Sequence, residues 1–472
     1  MTSAVYPENR THGTLIYALA IAVGIFSVLG FIWANSGEQL FAYFLVLFAA
    51  IIPGVLWIRM GTPGVPVLPV LSLAYIPYFG WPILTSSEVT LDYTAWEILR
   101  SALSVALFLS TAAIAAQVTT DKKRLHQPMI EQRALDTSRV VQFQFVGLLV
   151  GIAFHIGAIY GLQGWLGSLF GSIRSVALTL TIVSCLLVGV IRGQGHLQGK
   201  AWAASIACVV LLVILTWSSL FLVGGMIYSM AVIFGYVIAA KRVPWMMVAT
   251  IVIAVTVLHA GKGEMRDKYW EPGTNFGGVY SVWAIPGFLV EWTEDGLAAM
   301  TNTRSPSYQT PLERASLIQI MLRVQSETPD RIDYLLGETY SYLPGALIPR
   351  FIDADKPASQ VAMDLLNVRY GLLTIEEAAK TAVGWGLLAE SYANFGYFGI
   401  IGIGLLLGVL CGRLQSWSAN ALPITLPTLA SVAIMMTLVN LEADSIQVCT
   451  TMLQSFVSVI IFLAAFRRFA IR

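Results

Sequence analysis

AWAASIACVVLLVILTWSSLFLVGGMIYSMAVIFGYVIAA, residues 201–240, contains no charged side chain. A membrane-spanning helix needs about 20 mostly apolar residues, so this stretch is long enough to cross a bilayer twice. Only Trp217, Ser218 and Ser219 separate its halves, 201–217 and 220–240, which read as a tight hairpin or a re-entrant pair.

Outward from this pair, apolar stretches of similar length recur at 14–34, 38–58, 65–85, 95–118, 140–160, 173–192, 243–260, 394–413, 422–440 and 450–466. The composition agrees: 57% of the 472 residues are hydrophobic and 12% charged, against roughly 25% charged in a soluble domain. Mean hydropathy is +0.73. The expected fold is an all-α polytopic membrane protein of about twelve transmembrane helices with one large structured periplasmic loop. Residues 14–34 carry no small-residue cleavage site and are expected to stay as a helix, not to act as a signal peptide. Four prolines, Pro66, Pro69, Pro77 and Pro82, predict a kinked or broken third span buried among its neighbours. Cys185, Cys208, Cys411 and Cys449 show no metal-ligand spacing and read as small buried hydrophobes.

The net charge of +1 hides a strong segregation. With the N-terminus inside, the inner links collect Arg10, Arg59, Lys122, Lys123, Arg124, Arg133, Arg139, Arg192, Lys200, Lys241, Arg242, Arg413, Arg467, Arg468 and Arg472, as the positive-inside bias requires. The short outer links hold acids or neutral residues. Both termini are therefore expected on the cytoplasmic side of a cell inner membrane. Residues 1–260 form an N-terminal bundle of about nine spans, 261–393 a large periplasmic loop with amphipathic helices, and 394–472 the C-terminal transmembrane helices. The loop carries 17 of the 27 acids and 11 of the 28 bases, and loops of this length are functional or structured. Thr310-Pro311-Leu312-Glu313 has the signature of a helix start, as do Thr374 and Glu377. Such helices are expected to lie on the membrane surface over a cavity between the spans.

Three stretches hold residues suited to chemistry. LHAGKGEMRDKYW, residues 258–270, presents His259, Lys262, Glu264, Arg266, Asp267 and Lys268. It reads either as a solvated helix end or, with Lys262 and Arg266 four apart on one helical face, as a phosphate-binding pair. SYLPGALIPRFIDADKP, residues 341–357, sets Arg350 and Lys356 between prolines; a guanidinium fork and an ammonium suit phosphate oxygens. Its plainer reading is a surface loop in which Asp353 and Asp355 neutralise the bases. GWGLLAESYANFGYFGIIGIG, residues 384–404, places Glu390, Tyr392 and Asn394 before glycines that permit close helix packing. Glu390 is either an interfacial acid or a group that orients a sugar hydroxyl or takes its proton. Glu442 and Asp444 are weaker candidates, and His155 reads as a packing residue. The spacing Arg266-x10-Gly277 carries little information among so many glycines. No clustered metal ligands appear, although scattered carboxylates leave room for magnesium, and no basic-aromatic pattern suggests nucleic acid.

The pairing of IPRFIDADKP with ESYANFGYFGIIG about 40 residues later resembles the Wzy-type O-antigen and exopolysaccharide repeat-unit polymerases. That family shows a proline-arginine and lysine-proline element in a large periplasmic loop, then a glutamate and asparagine-phenylalanine-glycine element entering the next helix. The match covers roughly residues 337–413, with Lys262–Arg266 as looser support; the first 250 residues agree only as generic spans. The resemblance implies a glycosyltransferase that moves a chain from undecaprenyl diphosphate to the non-reducing end of another undecaprenyl-diphosphate-linked oligosaccharide. It needs no cofactor or metal and works beside membrane lipid, a flippase and a chain-length regulator. It also implies roles. Arg266 and Arg350, assisted by Lys262 and Lys356, would hold the diphosphate. Glu390, then Glu264 or His259, would accept the hydroxyl proton, and Tyr392 and Asn394 would contact sugar. An O-antigen ligase shares this layout. A transporter or flippase fits less well, because the span centres are nearly free of charge, and a non-catalytic scaffold stays open.

Overall fold

The computed structural model describes residues 23–85, 88–121, 137–240, 242–269, 278–279, 281–301, 316–378, 381–421 and 424–470. Among them the regular elements are all helices and no strand occurs. The first part of the chain forms α1 (Val23–Trp33), α2 (Gly37–Arg59), α3 (Val67–Leu84), α4 (Ala95–Thr119), α5 (Thr137–Ile159), α6 (Phe170–Gly193), α7 (Gly199–Trp217), α8 (Leu222–Ala240) and α9 (Trp245–Ala260). The segment after it holds α10 (Lys262–Tyr269), α11 (Ile285–Thr301), α12 (Ile318–Glu327), α13 (Leu343–Leu347) and α14 (Val361–Arg369). The chain ends in α15 (Gly386–Ser418), α16 (Leu426–Leu438) and α17 (Ser445–Ala470).

Nine of the described helices are long and apolar enough to cross a membrane. The bent pair α9–α10 and the shorter α1 and α16 complete a set that matches all twelve expected stretches. One boundary moves. The last part begins at Gly386, not 394, because α15 starts eight residues earlier than its apolar run. Residues 14–22 of the first stretch, and the Thr310 helix start, lie outside the described residues.

Local chemistry explains the helix ends. Thr94 and Glu97 form a full capping box ahead of α4: the Glu97 N–H donates to Thr94 Oγ1 at 3.3 Å, and the Thr94 N–H to Glu97 Oε2 at 2.7 Å. Ser36 caps α2 by accepting from the Gln39 N–H at 3.1 Å. The proline-rich third stretch neither breaks nor leaves the bundle. It forms one run that widens into a π-helical turn at Ile76–Gly80, which absorbs the amide missing at Pro77. In that turn the Tyr78 carbonyl accepts from the Leu317 N–H at 3.0 Å. Residues 201–240 form a tight hairpin, with Leu220 at φ 64° and the Trp217 indole donating to the Leu222 carbonyl at 3.0 Å.

Hydrogen bonds between the links sort them onto two faces. On one face the Val279 N–H meets the Ser218 carbonyl at 3.3 Å, Gln39 meets the Leu84 carbonyl at 3.1 Å, and the Trp385 N–H meets the Glu442 carbonyl at 3.1 Å. On the other, Ser418 Oγ accepts from the Val65 N–H at 2.9 Å and Ser416 Oγ from the Asp121 N–H at 2.8 Å. The described link bases Arg59, Arg139, Arg192, Lys200, Arg242 and Arg413 belong to this second face, opposite the 261–385 segment. Lys122, Lys123, Arg124, Arg133, Arg10, Lys241 and Arg472 lie outside the described residues.

The segment is more deeply embedded than surface helices would be. At Gly261 the chain bends by 54° into α10, and α11 returns against it, burying Ile285, Phe288, Trp292 and Gly296. Lys268 bridges back to Glu291 at 2.9 Å and Asp295 at 3.2 Å. Helix α12 is sunk against α4: Ile318, Met321, Leu322 and Val324 are buried, and the Gln325 amide joins Ser101 Oγ at 2.7 Å and Ser104 Oγ at 2.8 Å. The start Thr374/Glu377 does form a capping box, but the helix it begins is only Ile375–Ala378. A cavity lined by Tyr75, Leu387, Leu407 and Asn440 is about the size of a water molecule.

Glycines set the helix spacing. Gly404, Gly408 and Gly412 of α15 lie on the backbone of α4 at Phe108, Ala112 and Ala116. Gly189 of α6 and Gly235 of α8 interlock in the same way. Small residues allow such backbone approach, which substitutes in lipid for the missing hydrophobic drive. A Cβ at 408 would collide with the Ala112 carbonyl oxygen, whereas Gly402 has open space around it. Gly408→Val should therefore destabilise the protein by about 1–3 kcal/mol, and Gly402→Val should be nearly neutral. Thermal unfolding in detergent checks this; equal melting temperatures for the two variants would refute the packing argument.

Candidate functional site

The third sequence stretch explains its own glycines. Gly384 packs on the Glu442 side chain, and Gly386, at φ 72°, abuts the Leu441 carbonyl. The Trp385 and Gly386 N–H groups both donate to the Glu442 carbonyl, at 3.1 and 3.2 Å. The Trp385 indole donates to Asn367 Oδ1 at 2.8 Å, fixing α14 beside it. Residues 384–386 therefore clasp the link between α16 and α17.

One turn later Glu390 completes the clasp. It is fully buried; Oε2 accepts from the Ser445 N–H and Oε1 from Ser445 Oγ, both at 2.7 Å. The carboxylate thus caps the first turn of α17, where free amides and the helix dipole favour an anion. Asp444, also buried, accepts from the Gln447 N–H at 2.7 Å. Burial pushes the Asp444 carboxyl up to about 6, against the pull of hydrogen bonds from Gln447, Met363 and Ile446 and with a further push from Asp364. Burial likewise raises Asp364, while Glu442 is exposed on the link within electrostatic reach of the Lys262 ammonium.

Helix α15 breaks at Phe395 and Gly396, which leave helical geometry (φ −141° and 59°). The loop before α13 fills the break. Its Leu335 and Leu336 N–H groups donate to the Ala393 and Asn394 carbonyls at 3.0 and 3.1 Å. Asn394, fully buried, accepts from the Gly337 N–H at 3.0 Å and donates to Thr339 Oγ1 at 2.8 Å and the Glu390 carbonyl at 2.9 Å. Its amide is committed to holding the break. Tyr392 is buried too, with ring centroids 6.3 Å from Tyr334 and 5.4 Å from Tyr397.

The second stretch stands on the same link. Ala346 of α13 packs with Ile446 of α17 and Ala362. Lys356 donates from Nζ to the Ala346 carbonyl at 2.7 Å. Its ammonium is held below the usual lysine range by burial and by Arg350, partly countered by Asp353. Arg350, Phe351 and Ile352 are exposed at the tip. In the first stretch, α10 does place Lys262 and Arg266 on one helical face, both half-buried; His259 is half-buried at the end of α9, and Glu264 is exposed.

The second and third stretches therefore meet around 441–446, through Ala346 and Ile446 and through Glu390 and Ser445, and Lys262 of the first lies within electrostatic reach of Glu442. Glu390 and Asn394 are turned into the protein, while Arg350 and Glu264 reach the surface. The sequence reading underweighted Glu442 and Asp444, which lie at the junction. The signal available was Asp444-Ser-Ile-Gln447, a capping residue followed by glutamine three positions on. Among the described residues no group of three or more His, Cys, Asp or Glu side chains is placed to hold a metal ion.

Fold and site together define a polytopic α-helical membrane protein whose longest link is built into one face of the bundle. No protein-family model, no curated protein and no solved structure matches the chain.

Asp444 carries a pH signature. Its folded value of about 6 exceeds its ordinary 3.8, so the folded state binds this proton more tightly than the unfolded state. Its contribution to stability is largest below about pH 4, is lost as pH rises to about 6, and remains lost above. Asp444→Asn keeps an oxygen for the Gln447 amide and removes the titration. In detergent, the melting temperature of the wild type should fall more steeply between pH 4 and 6 than that of the variant. Parallel curves would show that burial at Asp444 has no energetic weight.

Proposed function

We propose that the chain polymerises undecaprenyl-diphosphate-linked oligosaccharide repeat units at the periplasmic face of the inner membrane. The observation that carries this reading is the meeting of two stretches on one link of a membrane bundle: the loop bearing Arg350 and Lys356 through Ala346 and Ile446, and Glu390 through Ser445. The resemblance of the second and third stretches to repeat-unit polymerases supports it. The link bases on the opposite face support an outward-facing segment and cytoplasmic termini.

In this reaction an acceptor sugar hydroxyl attacks the anomeric carbon of the donor chain. The carbon–oxygen bond to the diphosphate breaks, undecaprenyl diphosphate leaves, and the hydroxyl proton passes to a base. Negative charge grows on the departing diphosphate, so cations fixed beside it lower the barrier. Arg350 and Lys356, with Lys262 and Arg266, are the cations for that role. Glu390 is a positioning residue, because Ser445 engages both of its oxygens. Glu264 and His259 are nearer the surface and remain the bases to test.

The test is the length distribution of surface polysaccharide in a deletion strain. The strain should make only single repeats, rescued by the wild type and not by Arg350→Ala at equal protein levels. Full-length lipid-linked chains lacking their final acceptor would instead identify a ligase, and unchanged chains would remove both readings. Glu390→Gln separates two roles. Its amide can accept from the Ser445 N–H and donate to Ser445 Oγ, so chain length should survive this change and fail with Glu390→Ala. Loss with Glu390→Gln in a protein of normal melting temperature would return Glu390 to proton transfer.

A further inference from the structure

On the other side of α15 from Glu390, a second group of residues has no part in the reaction described above. We infer that Arg100, with the tyrosines Tyr334, Tyr392 and Tyr397, forms a site for the anionic phosphate headgroup of a membrane lipid.

Arg100 lies in the second turn of α4, inside a stretch that qualifies as a membrane span. A guanidinium at this depth is expensive and is ordinarily paired or functional. Among the described residues it forms no ion pair. Glu97, the acid one turn away, is committed to the Thr94 capping box. One guanidinium nitrogen, Nη2, donates to the Gln325 backbone carbonyl. The Gln325 side chain is occupied by Ser101 and Ser104 and does not turn toward the arginine. Nε is buried without a hydrogen-bond partner. The guanidinium thus donates to one backbone carbonyl, and Glu97, the acid within its electrostatic reach, is itself engaged by Thr94.

What surrounds it suits a lipid phosphate. Arg100 is within electrostatic reach of the buried Tyr392 hydroxyl, which shares a hydrogen bond with Tyr334, and Tyr392 packs between Tyr334 and the more exposed Tyr397. Phenolic hydroxyls donate to phosphate oxygens, and a guanidinium offers them a planar fork. Tyr397 is 42% exposed, and Trp96, one turn before Arg100, is 66% exposed. Aromatic side chains of this kind sit at headgroup level. Below them Leu103 of α4 and Phe398, Leu405 and Leu406 of α15 are exposed apolar residues, a wall for acyl or prenyl chains. Positions 390 and 392 are two residues apart on α15, so Tyr392 faces away from the Glu390 clasp. The site goes beyond the polymerase reading and stands whether or not the chain joins glycans.

The full-length protein in phosphatidylcholine nanodiscs, titrated with a C55 polyprenyl diphosphate or with phosphatidylglycerol and read by native mass spectrometry, tests this. Wild type should retain one anionic lipid. Arg100→Gln should weaken its binding at least tenfold, and Arg100→Lys less, because charge persists without the fork. Retention of both lipids would define a general anionic-phospholipid site, and retention of the diphosphate alone a handle for a polyprenyl carrier; each supports the inference. Wild-type binding by Arg100→Gln would overturn it, leaving Arg100 as a staple between α4 and α12. Should Arg100→Gln fail to fold, Arg100→Lys and Tyr397→Phe decide the matter, and unchanged affinity in both would overturn it equally. Because no glycan transfer is measured, failure here leaves the chain-length test untouched.

Discussion

The buried carboxylate of Glu390 on the first amide of α17 is the constraint from which the site follows. It joins the broken entry of α15 to the start of the last span, two places separated by the whole α15–α16 hairpin. A carboxyl group with no exposure is tolerated only where hydrogen-bond donors meet its oxygens. Ser445 supplies two such donors, and the free amides of a helix N-terminus supply a favourable field. Moving either helix would leave buried carboxyl oxygens without donors. The clasp thereby fixes the 441–445 link, and the link in turn carries α13 through Ile446 and Trp385 through Glu442.

The membrane imposes the complementary constraint. Within lipid the helices gain little from burying apolar surface against each other, so close backbone contact must hold them. The glycine rows of α15 against α4 and of α6 against α8 supply it. With α15 locked to α4 along its lower half, the break at Phe395–Gly396 lets its upper half lean independently toward α17. One helix thus serves two purposes: a rigid span below the break and a site scaffold above it. Asn394 stabilises the break by supplying the acceptors and donors that the interrupted backbone lacks.

The spans were legible because their signal is local. Twelve apolar stretches, their limits and the alternation of their charges all follow from windows of about 20 residues. The pairing of faces was legible through arginine and lysine counts alone. The depth of α12 was not: IQIMLRVQSE reads as amphipathic, and only contact with Ser101, Ser104 and Tyr78 shows it embedded. The same limit applied to Glu390. Its position before an apolar run suggested an accessible acid, whereas its partner lies 55 residues away. Asn394, read as a sugar contact, is taken by a loop just as distant in sequence. Long-range partners decide whether a polar residue near a span serves the ligand or the fold, and spacing does not report them.

This division of labour bears on the charge of the site. The two buried acids whose contacts are resolved, Glu390 and Asp444, spend oxygens on backbone amides at the start of α17 and so do not neutralise the neighbouring bases. Lys356 donates to a backbone carbonyl, and its ammonium feels Arg350 as a like charge. Two cations held close together raise the electrostatic cost of the empty site and lower it when an anion of two or more charges arrives. A neutral sugar would gain little from that arrangement; a diphosphate bridging both cations would gain from each. The buried acids build the frame, and under the proposed reaction the Arg350–Lys356 pair is what would favour a doubly charged ligand.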